Sequence, residues 1–239
     1  SISGYGEDGP MAARKAYDLL IQAESGLSSI TGGPDGPARV GVSIVDIATG
    51  ATAHAAILEA LIGRGITGRG TAISVSMFDV MADWLTVPLM NHEAGRSPQR
   101  LGLAHPSIAP YGVFTTADGV AILMSIQSDR EFASLARRFE FASLARRFLD
   151  DPAMAADPRF ATNVARVRHR AETDAAVAAA FARRTGAEAV AALTAADVAF
   201  AAVNDMAGLA AHRFAGADRR YGPVPGLPQT SEKSGRING

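Results

Sequence analysis

The fold of this chain depends on one stretch, Arg39-Val-Gly-Val-Ser-Ile-Val-Asp46-Ile-Ala-Thr-Gly50. Residues 40–45 predict a buried strand, because four of these six positions are Val or Ile. The Ala-rich segment at residues 51–61 has apolar side chains at helical spacing and predicts a helix. Asp46 therefore lies where a strand is expected to pass into a helix.

The Asp46 carboxylate at this junction has two explanations. It could cap the helix, because a carboxylate at a helix start accepts hydrogen bonds from free N–H groups and interacts favourably with the helix dipole. It could also be a nucleophile: its apolar neighbours supply little solvation, and Gly41 and Gly50 leave room for the close approach of a ligand. A poorly solvated carboxylate has a reason to react with an electrophile. The residues alone leave both explanations open.

Composition narrows the class of protein. The 239 residues, 48% hydrophobic and 20% charged, can bury a substantial core and fit one large domain or two small ones. A net charge of −1 without any Lys/Arg block predicts no nucleic-acid or anionic-membrane surface. The absence of cysteine excludes disulfides and thiolate sites, and no apolar run approaches the ~18 residues of a membrane span. We therefore expect a cytoplasmic enzyme or binding protein.

The rest of the chain shows helix and strand patterns separated by Gly- and Pro-rich turns. A polar linker at residues 95–102 marks an expected domain boundary, and the tail from Gly222 is expected to be flexible. The predicted elements are helices at 14–29, 77–93 (kinked at Pro88), 163–184 and 187–193, a hairpin of strands 111–115 and 120–124, a strand at 197–203, and a last short helix opened by Asn204-Asp205.

Searches for common catalytic motifs are mostly negative. Residues 63–68 match the dinucleotide fingerprint G-x-G-x-x-G, but we reject the match and predict a turn, because a helix precedes it and an apparent strand at 71–76 follows. The chain has no P-loop, no G-x-S-x-G and no S-x-x-K. Its five histidines show no metal-ligand spacing, so no metal site is predicted. Asp46 remains the candidate nucleophile.

A verbatim repeat interrupts the second half of the chain: residues 131–139 are restated as 140–148. Nine residues advance a helix by ~900°, which is half a turn out of phase. In one continuous helix the two copies would therefore present their apolar side chains to opposite sides. We expect one copy to carry the native packing and the other to protrude or to distort the helix.

Several motifs, in order and spacing, resemble the family III CoA-transferases, the group of formyl-CoA and carnitine CoA-transferases. The resemblance covers roughly residues 1–212. It rests on Ser1-Ile-Ser-Gly-Tyr-Gly6, Lys15-Ala-Tyr17-Asp18, Val42-Ser-Ile-Val-Asp46 with Gly50, Gly68-Arg-Gly70, Val75-Ser-Met77-Phe-Asp79, Asp157-Pro-Arg-Phe-Ala-Thr-Asn163 with Arg166 and Arg170, and Val203-Asn-Asp205.

The resemblance implies an α/β fold with three segments. Residues 1–100 would belong to a Rossmann-like large domain that carries the catalytic aspartate and CoA contacts. Residues 101–198 would form a smaller α+β domain, and residues 199–239 would return to the large domain and end in a flexible tail. Nothing here matches the family's preceding nucleotide-binding half, and residues 1–6 look like the end of a strand without a partner. An N-terminal part is therefore expected to be missing.

The resemblance also implies roles for residues. Asp46 matches the family's catalytic aspartate, which attacks an acyl-CoA thioester to give a mixed anhydride and then becomes an aspartyl-CoA thioester. Lys15 matches a lysine near CoA, Tyr17 an active-site position and Met77 a CoA contact. Acyl-CoA and small carboxylic acids are the implied partners, with no cofactor beyond the CoA thioester substrates. Without the resemblance, Lys15 would be a solvated cation, and Tyr17 and Met77 would be core residues.

Other functions of this family-like chain stay open. Related α-methylacyl-CoA racemases place a general-base histidine at the position of Tyr17, so we favour transfer over racemisation. The family forms a homodimer whose chains interlock, and a chain lacking one end could instead be a catalytically incomplete fragment that binds CoA esters.

Overall fold

The computed structural model describes residues 1–137 and 157–212, which form one long helix, several shorter helices and two small sheets. Residues 1–201 make up one unit, and a second unit begins at Ala202. The N-terminal part contains β1 (Ile2–Ser3), α1 (Asp18–Glu24), α2 (Leu27–Ile30), α3 (Ile44–Thr67), β2 (Val75–Ser76), α4 (Met77–Trp84) and α5 (Thr86–Glu93). The C-terminal part contains β3 (Tyr111–Thr115), β4 (Ala121–Ser125), α6 (Asp129–Arg137), α7 (Asn163–Arg168), α8 (Arg170–Phe181), α9 (Gly186–Ala195), β5 (Ala199–Ala202) and α10 (Met206–Ala211).

A hydrophobic cluster in the N-terminal part holds α1, α3 and α4 together beside β2. β1 and β2 pair in parallel, with Ile2 opposite Val75. Burying a large aliphatic side chain contributes about 1.5–3 kcal/mol, so this cluster fixes the start of α3 between its neighbours. The buried members are Ile21, Val45, Ala48, Val75, Val80 and Met81.

The strand predicted at residues 40–45 is wrong, because α3 already begins at Ile44. Val45 and Ala48, three residues apart, are buried on one face of this helix, and that core contact overrides the strand propensity of the β-branched run. The helix continues to Thr67, well beyond the predicted 51–61, and ends at Gly68 in the left-handed region with φ 70°. Rejecting the dinucleotide fingerprint is confirmed, but the turn predicted at 63–68 is wrong except at Gly68.

Two other predicted helices are divided. The helix predicted at 14–29 forms as α1 and α2, separated at Gly26, whose φ is 92°. The helix predicted at 77–93 forms as α4 and α5, and the break lies at Leu85 rather than at Pro88. Proline is tolerated in the first turn of a helix, where its missing N–H has no partner to lose, so the chain restarts before Pro88.

Helix α3 is long and apolar, and much of it is exposed. Among the described helices it alone has the length and hydropathy of a membrane span, with a mean of 1.3 over 18 residues of which 17% are buried. Polar residues divide its apolar runs, so the sequence shows no uninterrupted apolar run of that length. Its first turns pack into the N-terminal cluster through Val45 and Ala48. The exposed apolar side chains beyond those turns are Ile57, Leu58, Leu61, Ile62 and Ile66.

The C-terminal part has its own core against a three-stranded sheet in the order β3-β4-β5. The predicted hairpin is confirmed: β3 and β4 are antiparallel, with Thr115 opposite Ala121. The Phe114 and Phe181 rings stack with centroids 5.3 Å apart, which anchors α8 to the sheet. Helix α9 begins at a capping box of Thr185 and Glu188. The helix predicted at 163–184 is divided at His169 into α7 and α8.

The second unit contains, in its described residues, α10, which Asp205 caps by accepting the N–H of Gly208 at 2.8 Å. The last short helix is therefore where the sequence predicts it. The domain boundaries at 100 and 198 stay predictions. The tail from Gly222 lies outside the described residues.

The first copy of the repeat contributes Phe132 and Leu135 to the C-terminal core, where both are buried. The second copy lies outside the described residues.

If one copy alone carries the native packing, Leu135→Ala costs at least about 2 kcal/mol of unfolding free energy. Leu144→Ala, the same change in the same local sequence, then costs much less. Urea denaturation of both variants measures the difference, and equal losses would contradict the prediction.

Candidate active site

Asp46 is the third residue of α3 and is exposed to solvent. Successive helical residues are rotated by about 100°, so Val45 and Ala48 face the core while Asp46 and Ile47 face outward. The expectation that Asp46 is poorly solvated is therefore wrong for the part of the chain described. Within residues 1–137 and 157–212, the Asp46 carboxylate has no hydrogen bond or ion pair; its backbone N–H has one weak contact. This carboxylate is free to meet a ligand.

The start of α3 is capped from another helix. Ser43 precedes the helix and makes no side-chain capping bond. Instead, Oδ1 of Asp18 accepts the N–H of Val45 at 2.8 Å and, more weakly, the N–H of Asp46 at 3.4 Å. The first N–H groups of a helix have no partner within it, and a carboxylate is favoured there by the helix dipole. The capping explanation for Asp46 is therefore wrong, because Asp18 performs that function.

Gln22 holds Asp18 from the other side. Its side chain is fully buried, and its Nε2 donates to Oδ2 of Asp18 at 2.7 Å. Its Oε1 accepts the N–H of Val40 at 2.9 Å, which ties the segment leading into α3 to α1. No predicted role falls on Asp18 or Gln22. Their spacing of four residues on one helix, which suits Gln–Asp hydrogen bonding, was the available signal.

Lys15 and Tyr17 lie in the segment that enters α1, and both are exposed. Tyr17 is 66% exposed, so its explanation as a core residue is wrong. It adopts an extended conformation directly before Asp18, and its carbonyl accepts the N–H of Ile21 at 3.0 Å. Because Asp18 contacts the first turn of α3, this segment runs beside the turn that carries Asp46.

The segment before α1 is also held at its other end. Arg14 Nη1 donates to Oε1 of Glu24 at 2.5 Å, and the hydroxyl of Tyr5 donates to Oε2 of the same carboxylate at 2.7 Å. The Glu24 carboxylate raises the pKa of Tyr5, chiefly through this hydrogen bond. The Arg14 guanidinium lies 5.5 Å from the Tyr5 ring centroid. These contacts fix the backbone next to Lys15.

Met77 is the first residue of α4 and is half-buried. It packs against the N-terminal cluster that contains Val45 and Ala48. The prediction that Met77 is a core residue therefore accounts for the buried part of its side chain, and the rest of the side chain is exposed. Ser76, directly before it, caps α4 by accepting the N–H of Asp79 at 3.3 Å. The four candidate residues thus lie on the three helices, or their entry segments, that share one core.

A cavity of about 610 Å³ lies elsewhere, between the segment after the linker, β3 and α8. Asp174 is among its lining residues, and burial raises the pKa of this carboxyl group. Arg170 Nη1 lies 3.9 Å from Oδ2 of Asp174. None of the predicted site residues lines this cavity, so it supports no role in their chemistry. The described residues contain no group of three or more potential metal ligands.

A family model for CoA-transferase family III matches residues 1–219. The chain belongs to the family III CoA-transferases. The resemblance seen in the motifs is thereby confirmed, and the match extends over both hydrophobic clusters.

Curated relatives within this family are named as CoA-transferases. Succinate–glutarate CoA-transferase of Agrobacterium fabrum is 42% identical over 174 residues, which are 72% of this chain and 41% of that protein. Acetyl-CoA:oxalate CoA-transferase of Acetobacter aceti is 36% identical over 190 residues, covering 78% of this chain and 46% of that protein. Human succinyl-CoA:glutarate CoA-transferase is 36% identical over 174 residues, 72% of this chain and 37% of that protein. The chain spans less than half the length of these relatives.

Two solved structures have a similar fold. A CaiB/BaiF family protein from Brucella suis superposes with a TM-score of 0.71 at 36% identity, over 89% of this chain and 54% of that one. A hypothetical protein from Mycobacterium tuberculosis gives a TM-score of 0.72 at 26% identity, over 89% and 54% of the two chains. The predicted α/β family III fold is confirmed.

Proposed function

We propose that this protein transfers CoA between carboxylic acids through a covalent intermediate on Asp46. The observation that supports the proposal is the exposed Asp46 carboxylate, which has no polar partner in residues 1–137 and 157–212 and lies on a turn held by a neighbouring helix. A carboxylate that makes no hydrogen bond to the protein does not have to break one before it attacks an electrophile. Membership of the family III CoA-transferases supplies the reaction class.

The proposed reaction balances without ATP, metal or added proton donor. An Asp46 oxygen attacks the thioester carbonyl of the donor, the C–S bond breaks, and CoA thiolate leaves a mixed anhydride. The thiolate then attacks the Asp46 carbonyl and releases the donor acid as its carboxylate, giving an aspartyl-CoA thioester. The acceptor carboxylate displaces the thiolate to form a second anhydride. Attack of the thiolate on the acceptor carbonyl yields the new acyl-CoA and restores the Asp46 carboxylate.

The remaining candidate residues have supporting roles in this proposal. Lys15 provides a cation beside the entry to α1 for the phosphates of CoA, and Tyr17 and Met77 contact the acyl-CoA. Small carboxylic acids are the proposed acceptors, because relatives are named for succinate, glutarate and oxalate. We also propose a cytoplasmic protein that forms an interlocked homodimer, with CoA thioesters as substrates and no other cofactor.

Two other functions make different predictions. The first is a CoA-ester-binding fragment without catalysis. Such a fragment binds acyl-CoA and forms no covalent adduct. A racemase-like isomerase would exchange the α-proton of a branched acyl-CoA in deuterated water. With Tyr17 at the position of the family's racemase histidine, we expect no such exchange.

Intact-protein mass spectrometry tests the proposed function. After incubation with succinyl-CoA, the wild-type chain is expected to gain the mass of CoA less one water. Hydroxylamine should release the CoA, because it cleaves thioesters, and leave a hydroxamate on Asp46. Asp46→Asn should show no gain. Asp83, exposed on α4 and outside every family motif quoted above, provides the matched control: Asp83→Asn should form the adduct as the wild type does. CoA binding without any adduct would favour the fragment.

A further inference from the structure

We propose that Asp18, held by the buried Gln22, is a positioning residue for Asp46. It fixes the first turn of α3 and thereby the direction in which the Asp46 carboxylate is presented. This inference rests on the proposed function of Asp46. It goes beyond that function, because Asp18 itself is not proposed to touch the substrate.

The hydrogen-bond pattern of the turn supports this role. The N–H of Ile44 is directed to the carbonyl of Val42 at 2.8 Å, and the N–H of Ile47 to the carbonyl of Ser43 at 3.0 Å. The two N–H groups between them have no helical acceptor. Oδ1 of Asp18 takes both, at 2.8 Å from Val45 and 3.4 Å from Asp46. Asp18 therefore holds the residue before Asp46 strongly and Asp46 itself weakly.

Asp18 is itself held in place by hydrogen bonds to both of its carboxylate oxygens. Oδ1 is engaged by α3, and Oδ2 by Nε2 of Gln22 at 2.7 Å. Gln22 is fully buried, so its amide cannot turn to water, and its oxygen is occupied by the N–H of Val40 at 2.9 Å. Because Asp18 is held by α1 as well as by α3, it fixes the first turn of α3 relative to α1.

The cap also determines which groups can bind the Asp46 carboxylate. Because Asp18 occupies the N–H groups of Val45 and Asp46, the first turn of α3 offers these donors to Asp18 instead of to the Asp46 carboxylate. Hydrogen bonds to an ionised carboxylate stabilise it and reduce its tendency to attack. Asp18 thus orients Asp46, while the first turn of α3 makes no hydrogen bond to the Asp46 carboxylate itself. Displacing a reacting group by about 1 Å can cost roughly 100-fold in rate.

The test compares three variants of the full chain. Asp18→Ala removes the cap, and Asp18→Asn keeps an oxygen that can accept the N–H of Val45. Asp118→Ala is the matched control, because Asp118 caps α9 from the β3–β4 turn, accepting the N–H of Gly186 at 2.9 Å, and belongs to the C-terminal part. The rate of CoA adduct formation is measured by mass spectrometry over a range of acyl-CoA concentrations, and the melting temperature of each variant is recorded.

We expect Asp18→Ala to reduce the maximal rate of adduct formation by roughly 10- to 100-fold, with the half-saturating acyl-CoA concentration changed by less than about twofold. Asp18→Asn should recover only part of the rate, because an Asn oxygen that accepts the N–H of Val45 leaves its NH2 group facing Nε2 of Gln22, donor against donor. Asp118→Ala should lower the melting temperature without lowering the rate at a temperature where all variants are folded. A wild-type rate in folded Asp18→Ala, or an equal loss in Asp118→Ala, would overturn the positioning role alone. No adduct in the wild type would overturn both this inference and the proposed function.

Discussion

Replacing Asp46 with Asn is expected to reduce CoA transfer from succinyl-CoA to a dicarboxylic acid by on the order of 10³-fold or more, because removing a covalent nucleophile removes the whole pathway it opens. The carboxamide has nearly the same size, and its neighbours Val45 and Ala48 stay in the core. The loss should therefore come without a change in folding. Steady-state assays of free CoA thioester products, by chromatography, measure it.

Asp83→Asn controls for loss of one negative charge on the N-terminal core, since Asp83 is exposed on α4. Its activity should stay within about twofold of wild type, as surface changes away from special features have small effects. Unfolding curves of both variants should coincide with that of the wild type. Retention of more than about a tenth of the activity in Asp46→Asn would show that the nucleophile lies elsewhere.

Replacing Arg166 with Met is expected to lower the free energy of unfolding by about 3–5 kcal/mol, since each buried polar group left without a partner costs about 1–3 kcal/mol. Arg166 is fully buried, and its Nε donates to the carbonyl of Ala109 at 2.6 Å and its Nη1 to the carbonyl of Phe160 at 2.9 Å. Its guanidinium also lies 4.1 Å from the Phe132 ring centroid. Burial lowers the pKa of Arg166, and hydrogen bonding to Asp129 opposes that shift.

Arg168→Met, two residues further along α7 at an exposed position, should change the free energy of unfolding by less than about 0.5 kcal/mol. Arg166→Lys should recover only part of the loss, because an ammonium group lacks the planar fork that serves two carbonyls and a carboxylate at once. The ion pair itself should contribute little to the free energy of unfolding, because the Asp129 side chain is 52% exposed. Urea denaturation with equal losses for Arg166→Met and Arg168→Met would refute this account.

Local pattern predicted the C-terminal part well. Strands β3 and β4 alternate buried and less buried residues, which is the signature of a hairpin with one covered face. Asp205 was expected at the start of α10 because its side chain is suited to capping. Both features depend on residues a few positions apart, so they are visible in a single sequence.

At the candidate site, the start of α3 and its cap depend on tertiary contacts, which the sequence pattern does not reveal. Residues 40–45 have the composition of a strand, but docking on α1 makes Ile44 the start of a helix. Asp46 could be named from its surroundings and from the resemblance to a family. Its capping partner could not, because Asp18 lies 27 residues earlier when measured to Val45. Burial of Gln22 likewise depends on the packed helices and not on its neighbours in sequence.

The cap on α3 comes from α1, so the conformation of the turn that carries Asp46 depends on how the two helices pack together and not on α3 alone. In a molten state, with secondary structure formed and side-chain packing lost, α3 could persist while Asp18 and Val45 separated. Its first turn would then fray, as helix ends do when their N–H groups lack acceptors. Circular dichroism would register a largely helical chain, yet Asp46 would have no fixed direction. Reactivity of Asp46 therefore reports on completed tertiary folding more strictly than helix content does.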